Sequence, residues 1–272
     1  MYHIALSVTW RFEELNTLLE IIKLNFKKDY CVHVFCNLCH EDFEGIKGIV
    51  QDRLIDDFIH YPDKLSTKTN TAKQDCKRRQ PLILLTQILN YMQKFDSFIY
   101  SECDVFPLSE DHYIHELCKI KDTEISVRYA NIKNPKVPAG YICPAPMYLT
   151  GLGAHHLSVA LEKYKKKYLA EGFALEGMLA HSAANCGVVT KVYSNFFESN
   201  QCADKNLEPI TKTTHQHNIF NLRAELLKRN ITKGSTIKQI LEEHTLSRAW
   251  NNAAISFDSD FMLHEMLNQY NG

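Results

Sequence analysis

Phe95-Asp-Ser-Phe-Ile-Tyr-Ser-Glu-Cys-Asp-Val-Phe-Pro-Leu108 is the stretch around which the chain organises itself. Its first half, Ser97 to Ser101, is a short apolar run with aromatic and β-branched residues and reads as a buried strand. Two carboxylates, Glu102 and Asp104, follow at once with one residue between them, and Pro107 closes the segment. In an α/β protein, a strand that ends in acids delivers them to the crevice where ligands bind. Oxygen ligands of this kind suit a hard divalent ion such as Mg²⁺ or Mn²⁺, and that ion in turn suits a diphosphate. Acids just after a strand also serve as turn formers and helix caps. The surrounding chain has to decide between the two.

The 272 residues are enough for one large domain, or one domain with a small appendage. Hydrophobic residues make up 45% and charged residues 23%, an ordinary globular composition. The formal net charge is −1, and no arginine-rich arm or broad basic stripe is present, which argues against a nucleic-acid partner. No window reaches the roughly 20 apolar residues that a membrane span needs, and Met1 leads straight into a strand-like segment. The expectation is a soluble cytoplasmic protein, with room for peripheral contact with a membrane-borne acceptor. Nine cysteines are scattered without a framework, several within apolar runs, which reads as a reduced set. Cys36-Asn-Leu-Cys39-His40 matches the spacing of c-type haem attachment. That chemistry needs export, and no second Cys/His pair at zinc-finger spacing follows, so the segment is read as a strand ending in a loop.

In chain order, His3 to Thr9 is the first strand. Phe12, Leu15, Leu18, Leu19 and Ile22 then recur at helical spacing, giving an amphipathic helix to about Phe26. Tyr30 to Phe35 is the second strand, completing a βαβ unit and hence a parallel pair. Ile55 to Tyr61 supplies a third. Pro62 to Arg79 is polar and reads as a surface loop; it holds the basic residues Lys73, Lys77, Arg78 and Arg79 in front of a helix from Pro81 to about Lys94. Cations placed there, beside a metal site, would suit phosphate oxygens. Beyond Leu108 come a short helix (His112 to Lys119), a strand (Glu124 to Tyr129) and a loop. A strand from Tyr141, with prolines at its margin, then runs into Gly151-x-Gly153 and a helix, His155 to Tyr168. The glycines allow close backbone approach to a ligand, or simply a tight turn. Glu171 to Cys186 is the next helix, with Gly187 as its C-cap, and Val188 to Tyr193 is a strand. Thr214-His215-Gln216-His217 leads into a helix capped by Asn218. Residues 235–272 read as further short helices.

These pieces resemble a glycosyltransferase of the GT-A fold, over roughly residues 3 to 220. That family has a nucleotide-binding βαβ half, a D-x-D motif after a central strand, a glycine-containing acceptor segment, a carboxylate at the head of a helix and a late histidine. Glu102-Cys103-Asp104 stands where D-x-D would, with Glu replacing the first Asp. Ala145-Pro-Met-Tyr-Leu-Thr-Gly-Leu-Gly153 is similar to the Y-P-x-Y-x-x-G-x-G run of β-1,3-glycosyltransferase-like sequences. The acidic pair of those sequences is reduced here to Glu176, because Leu175 occupies the first position.

The resemblance implies an α/β fold with a mixed, mostly parallel central sheet flanked by helices and a helical C-terminal tail. It implies one catalytic domain over 1–234, with a nucleotide-binding half to about 108 and an acceptor half from 109 to 234, and 235–272 packed on it. Asp104 would be the main metal ligand, with Glu102 on the metal or the donor sugar and ribose, and His215 or His217 completing the shell of Mn²⁺ or Mg²⁺. Ser7, Val8, Thr9, Arg11, Arg78, Glu102 and Cys103 would line the donor side, and Tyr148, Gly151 and Gly153 the acceptor side. Glu176, or alternatively Glu171, would be the base in an inverting transfer from a nucleotide diphosphate sugar, UDP-linked for preference. The acceptor would be a hydroxyl of a glycan, glycolipid or glycoprotein. The alternatives are a retaining enzyme of the same fold, a nucleotidyltransferase, which would usually carry a glycine-rich phosphate loop that Ser7-Val-Thr-Trp-Arg11 lacks, or a non-catalytic carbohydrate-binding relative.

Overall fold

Three apolar runs become adjacent parallel strands: β1 (Tyr2–Val8), β2 (Tyr30–Cys36) and β4 (Ser97–Glu102), with β1 in the middle. The computed structural model describes residues 1–8, 15–16, 18–19, 22–23, 26–37, 55–61, 72–103, 105–107, 124–130, 141–171, 173, 175–188, 190–193, 198–200 and 215–217. A short β3 (Asp57–His60) extends the sheet beyond β2. On the other side of β4 lie β7 (Tyr141–Thr150), β6 (Ile125–Ala130) and β8 (Thr190–Tyr193), giving the order β3-β2-β1-β4-β7-β6-β8. β7 alone runs against the rest. A second sheet of three short strands has the order β5-β10-β9, from Val105–Pro107, His215–His217 and Glu198–Asn200. The expected mixed, mostly parallel α/β sheet is the one observed.

Both faces of the main sheet are buried, as parallel strands require. Alternation puts Ala5, Phe35, Phe98 and Tyr100 on one face, where they share a core with Leu82, Leu85, Ile88, Leu89 and Met92 of helix α1 (Ala72–Met92). The spacing of those apolar residues marks one face of a helix. Residues of the opposite face, Ile4, Leu6, Val8, Val32, Val34 and Ile99, are equally buried, and the crossover between β1 and β2 contributes the buried helical residues Leu15, Leu18, Leu19 and Ile22. Each fully buried aliphatic side chain of this kind contributes about 1.5–3 kcal/mol.

Helix α1 starts at Ala72, nine residues before the expected start, and Pro81 sits inside it. A proline suits the first turn of a helix, which is why the sequence suggested a start there. In the interior it forgoes the N–H bond to the carbonyl four residues back and its ring crowds that carbonyl, a local cost that the packing of the following apolar face offsets. The basic residues Lys73, Lys77, Arg78 and Arg79 therefore belong to the helix rather than to a loop before it. β7 similarly runs through Pro144 and Pro146 rather than ending beside them. The register with β6 is broken there, between Ser126 and Arg128, where prolines cannot donate to the ladder.

Helix α2 (Gly151–Glu171) follows β7 without a loop. Thr150 caps it, its Oγ1 accepting from the Gly153 N–H at 3.0 Å and donating to the Glu124 carboxylate. Both glycines are there for packing. A Cβ on Gly151 would meet the backbone oxygens of Gln93 and Phe95 at 2.5 Å, and one on Gly153 would collide with the Glu124 carbonyl. Helix α3 (Leu175–Asn185) folds back antiparallel, since His156 Nδ1–H donates to the Cys186 carbonyl at 3.1 Å while Tyr168 bonds His181 at 2.9 Å and Ser182 at 2.6 Å. Glu171 ends α2, so it belongs to the earlier of the two helices and not to the one carrying Glu176. Gly187, at φ +79°, terminates the hairpin as expected. The helices expected at 112–119, after Asn218 and over 235–272, and the domain boundary at 234, lie outside the described residues.

The N-terminal ends of β1 and β2 are tied to β3 and α1 by a polar chain. Asp57 accepts from the Tyr91 hydroxyl at 2.9 Å and from His33 Nδ1–H at 2.8 Å, and His33 Nε2 meets His3 Nδ1 at 3.1 Å. Phe95 stacks on His3 with centroids 3.9 Å apart. Burial holds both imidazoles below the ordinary 6.5, more than offsetting the pull of Asp57 on His33 and of Asp56 and Asp96 on His3. Asp57 is held below its usual range, first by the Tyr91 hydroxyl and then by His33.

Because the folded state keeps these histidines neutral, the unfolded chain binds more protons as pH falls through about 6.5. The stabilisation is complete above that value and is lost on going down from it. Thermal melting should drop by about 3 °C between pH 7 and pH 5, and His33→Gln should flatten that dependence. A melting temperature constant over the window in the wild type would contradict the assignment. Among the glycines, Gly153→Ala should cost about 3 kcal/mol in urea denaturation through collision with backbone. Gly187→Ala, which meets nothing within 4 Å but keeps a positive φ, should cost about 1 kcal/mol. The reverse order would contradict the packing role.

Candidate active site

The strand order reverses direction of growth at β1: β2 and β3 extend to one side, and β4 starts the other. Crevices of this kind, beyond the carboxyl ends of the strands, are where open α/β sheets bind ligands. The register places Ser7 of β1 opposite Glu102 of β4, the last residue of its strand. The Cys103 N–H still donates to the Ser7 carbonyl at 3.2 Å, so the two strands stay joined one residue beyond Glu102. Glu102 is half-buried there, and Cys103 is buried at 5% exposure.

The chain then leaves the main sheet. Val105–Pro107 joins the small sheet and pairs antiparallel with His215–His217, with Pro107 opposite His215 and Val105 opposite His217. Asp104 itself lies outside the described residues, but its chain neighbours are held on either side, Cys103 against β1 and Val105 against β10. The late histidine segment, more than a hundred positions away in sequence, is thus brought to the acidic motif. His217 sits opposite the residue that follows Asp104, two residues nearer along the ladder than His215. Carboxylate oxygens suit Mn²⁺ or Mg²⁺, and an imidazole nitrogen added to them would favour Mn²⁺, the softer of the two. Among the described residues, which leave out Asp104, no group of three or more ligating side chains stands together.

Beneath Glu102, two residues back on the same strand face, is Tyr100. Its hydroxyl lies 3.1 Å from Ser7 Oγ, and the residue is 3% exposed. Burial, and next the charge of Glu102, push the phenol well above its ordinary range, so it keeps its proton. Sequence reasoning passed over Tyr100 as core; the signal was its spacing, an aromatic hydroxyl two residues before the first acid of the motif.

The remaining expected residues divide. Ser7 lies beside Glu102 at the strand end. Val8 is 1% exposed and points to the opposite face, so it is a core residue. Cys103 is likewise buried and acts as a small apolar group. Thr9 and Arg11 lie outside the described residues, and Arg78 lies in the second turn of α1. Tyr148 is fully buried on β7 opposite Ile99, not at a binding surface. Gly151 and Gly153 follow Thr150, which pairs with Ser97 at the start of β4. The acids stand at the other end of that strand, five residues or about 17 Å away. The expected acceptor-side group is therefore structural: the close approach its glycines permit is to the protein's own backbone. Glu171 is exposed at the end of α2, and Glu176 is half-buried in the first turn of α3. Both sit at the closed end of the helix hairpin, the end away from Gly151.

No family model matches this chain, and no curated protein sequence does. Solved structures do. An active-site mutant of LgtC aligns with a TM-score of 0.50 at 8% identity, covering 98% of this chain and 95% of that one. Mouse xyloside xylosyltransferase 1, in its apo form, gives 0.49 at 11% identity, over 81% of this chain and 98% of that one. The glycosyltransferase GlyE of Streptococcus pneumoniae TIGR4 gives 0.46 at 10% identity, over 99% of this chain and 64% of that one. At 8% identity the likeness to LgtC is one of architecture alone: the chain has the GT-A fold.

Proposed function

We propose that this protein is a glycosyltransferase that moves a sugar from a nucleotide diphosphate sugar, a UDP-sugar for preference, to a hydroxyl of a glycan or glycoconjugate. The observation that carries the reading is the convergence of three separate stretches at one strand end. Ser7 and Glu102 meet at the topological switch, and the pairing of Val105 with His217 draws the histidine segment to the same motif. A motif that served only as a turn would need no such company.

Glu102, Asp104 and His217, or His215 in its place, would hold Mn²⁺ or Mg²⁺, which when bound supplies positive charge to the diphosphate leaving group. The chain's own residues do the remainder. Ser7 offers a hydroxyl at the mouth of the crevice, where an acceptor oxygen of the nucleotide can take its hydrogen bond. Buried apolar side chains under Glu102 keep the floor of the crevice dry, which strengthens every charge interaction above it. Glu176, placed in the first turn of α3, takes the proton of the acceptor hydroxyl as its oxygen attacks the anomeric carbon, and the configuration inverts.

The test is turnover of a panel of UDP-sugars with Mn²⁺, followed as UDP release and as transfer to simple glycoside acceptors. Asp104→Ala should lose activity by at least about 1,000-fold, and Glu176→Gln by at least about 100-fold while binding UDP as the wild type does. No release from any UDP-sugar by the wild type would contradict the reading. Turnover retained by Glu176→Gln would remove that residue as base, and with it the inverting course.

A further inference from the structure

We propose that Tyr100 is a positioning residue for the donor: its buried hydroxyl fixes the orientation of the Ser7 hydroxyl at the strand switch, so that the Ser7 proton faces the bound nucleotide. The inference rests on the nucleotide-sugar reading above and adds to it a residue that never meets the ligand.

The geometry is specific. Tyr100 pairs with Ala5, and Glu102 with Ser7, across the same two strands. Residues two apart on a strand share a face, so Tyr100, Glu102, Ala5 and Ser7 form one patch around the top of the β1–β4 ladder. Within it the two hydroxyls stand 3.1 Å apart, the phenol buried and the serine half-buried. A phenol is the more acidic hydroxyl and an aliphatic alcohol the better acceptor, so the bond runs from Tyr100 O–H to Ser7 Oγ. That occupies one lone pair of Ser7 and leaves its proton directed away from the core, toward the crevice. The alternative direction would turn the Ser7 proton inward and present only lone pairs to a diphosphate or a nucleobase carbonyl, both of which are acceptors. The Ser7 backbone is held independently, by the Cys103 N–H on its carbonyl. What Tyr100 governs is therefore the side-chain rotor alone.

Calorimetric titration of UDP in the presence of Mn²⁺ into wild type, Tyr100→Phe, Ser7→Ala and the double variant tests this. Each single change should weaken UDP binding about fivefold to tenfold, one directed hydrogen bond's worth, and the double variant should lose no more than Ser7→Ala alone, since both changes delete one unit. In turnover, Tyr100→Phe should raise KM for the UDP-sugar by the same factor and leave kcat within about twofold. A purely structural tyrosine would lower the melting temperature without that split. Ser7→Ala leaves the buried ring in place and reads the same bond from its outer end, so the coupling does not depend on one variant folding well. UDP binding by Tyr100→Phe equal to wild type, or losses that multiply in the double variant, would overturn the inference alone. Wild type that binds no UDP with Mn²⁺ would overturn the donor-site reading and this inference with it.

Discussion

The parallel pairing of β1 with β4 is the constraint from which the other features follow. It places Ser7 and Glu102 side by side at the point where the sheet changes its direction of growth, and it extends one residue further through the Cys103 N–H. A parallel pair of this kind cannot be joined by a tight turn; it needs a long crossover, here the part of the chain that carries β2, β3 and α1. The acids thus stand on the most deeply supported element of the sheet, with Phe98 and Tyr100 of the same strand packed into the core of α1, α2 and α3. A site built on such an element holds its geometry better than one built on a loop.

Stability and chemistry are separated along the strands. The N-terminal ends of β1 and β4 carry the His3–His33–Asp57–Tyr91 chain and the backbone contacts that Gly151 and Gly153 permit. The C-terminal ends carry Ser7, Glu102 and the passage into the small sheet. Two sheets meet at that passage: one residue before Asp104 belongs to the first, and one residue after it to the second. In the proposed enzyme this lets ligands from distant parts of the chain converge without a long loop. It also couples the acidic motif to β10, so changes at either histidine should be felt there before they are felt in the core.

Much of the fold was legible because buried parallel strands are short apolar runs with few alternatives. β1, β2 and β4 are read from His3–Thr9, Tyr30–Phe35 and Ser97–Ser101 to within a residue or two, and Glu102-Cys-Asp104 stands out as acids where a core strand ends. The helix boundaries were harder. Pro81 mimics a helix start, and Glu171, which reads as the head of the second helix of the hairpin, is the last residue of the first; in each case tertiary packing outweighed a local signal. The glycines of Gly151-Leu-Gly153 were ambiguous from sequence because close approach to a ligand and close approach to backbone make the same demand on a residue without a side chain. Contacts such as His3 with His33 and Asp57, or Tyr100 with Ser7 across 93 residues, leave no local trace. They become visible only when the register of the sheet is known.

The central claim is that this strand end is a metal-dependent nucleotide site. Its most direct measurement is calorimetric titration of UDP with and without Mn²⁺, on wild type and on Asp104→Ala. UDP should bind at one site per chain only when Mn²⁺ is present, and Asp104→Ala should abolish that binding while melting as the wild type does. Binding indifferent to both the metal and the substitution would contradict it.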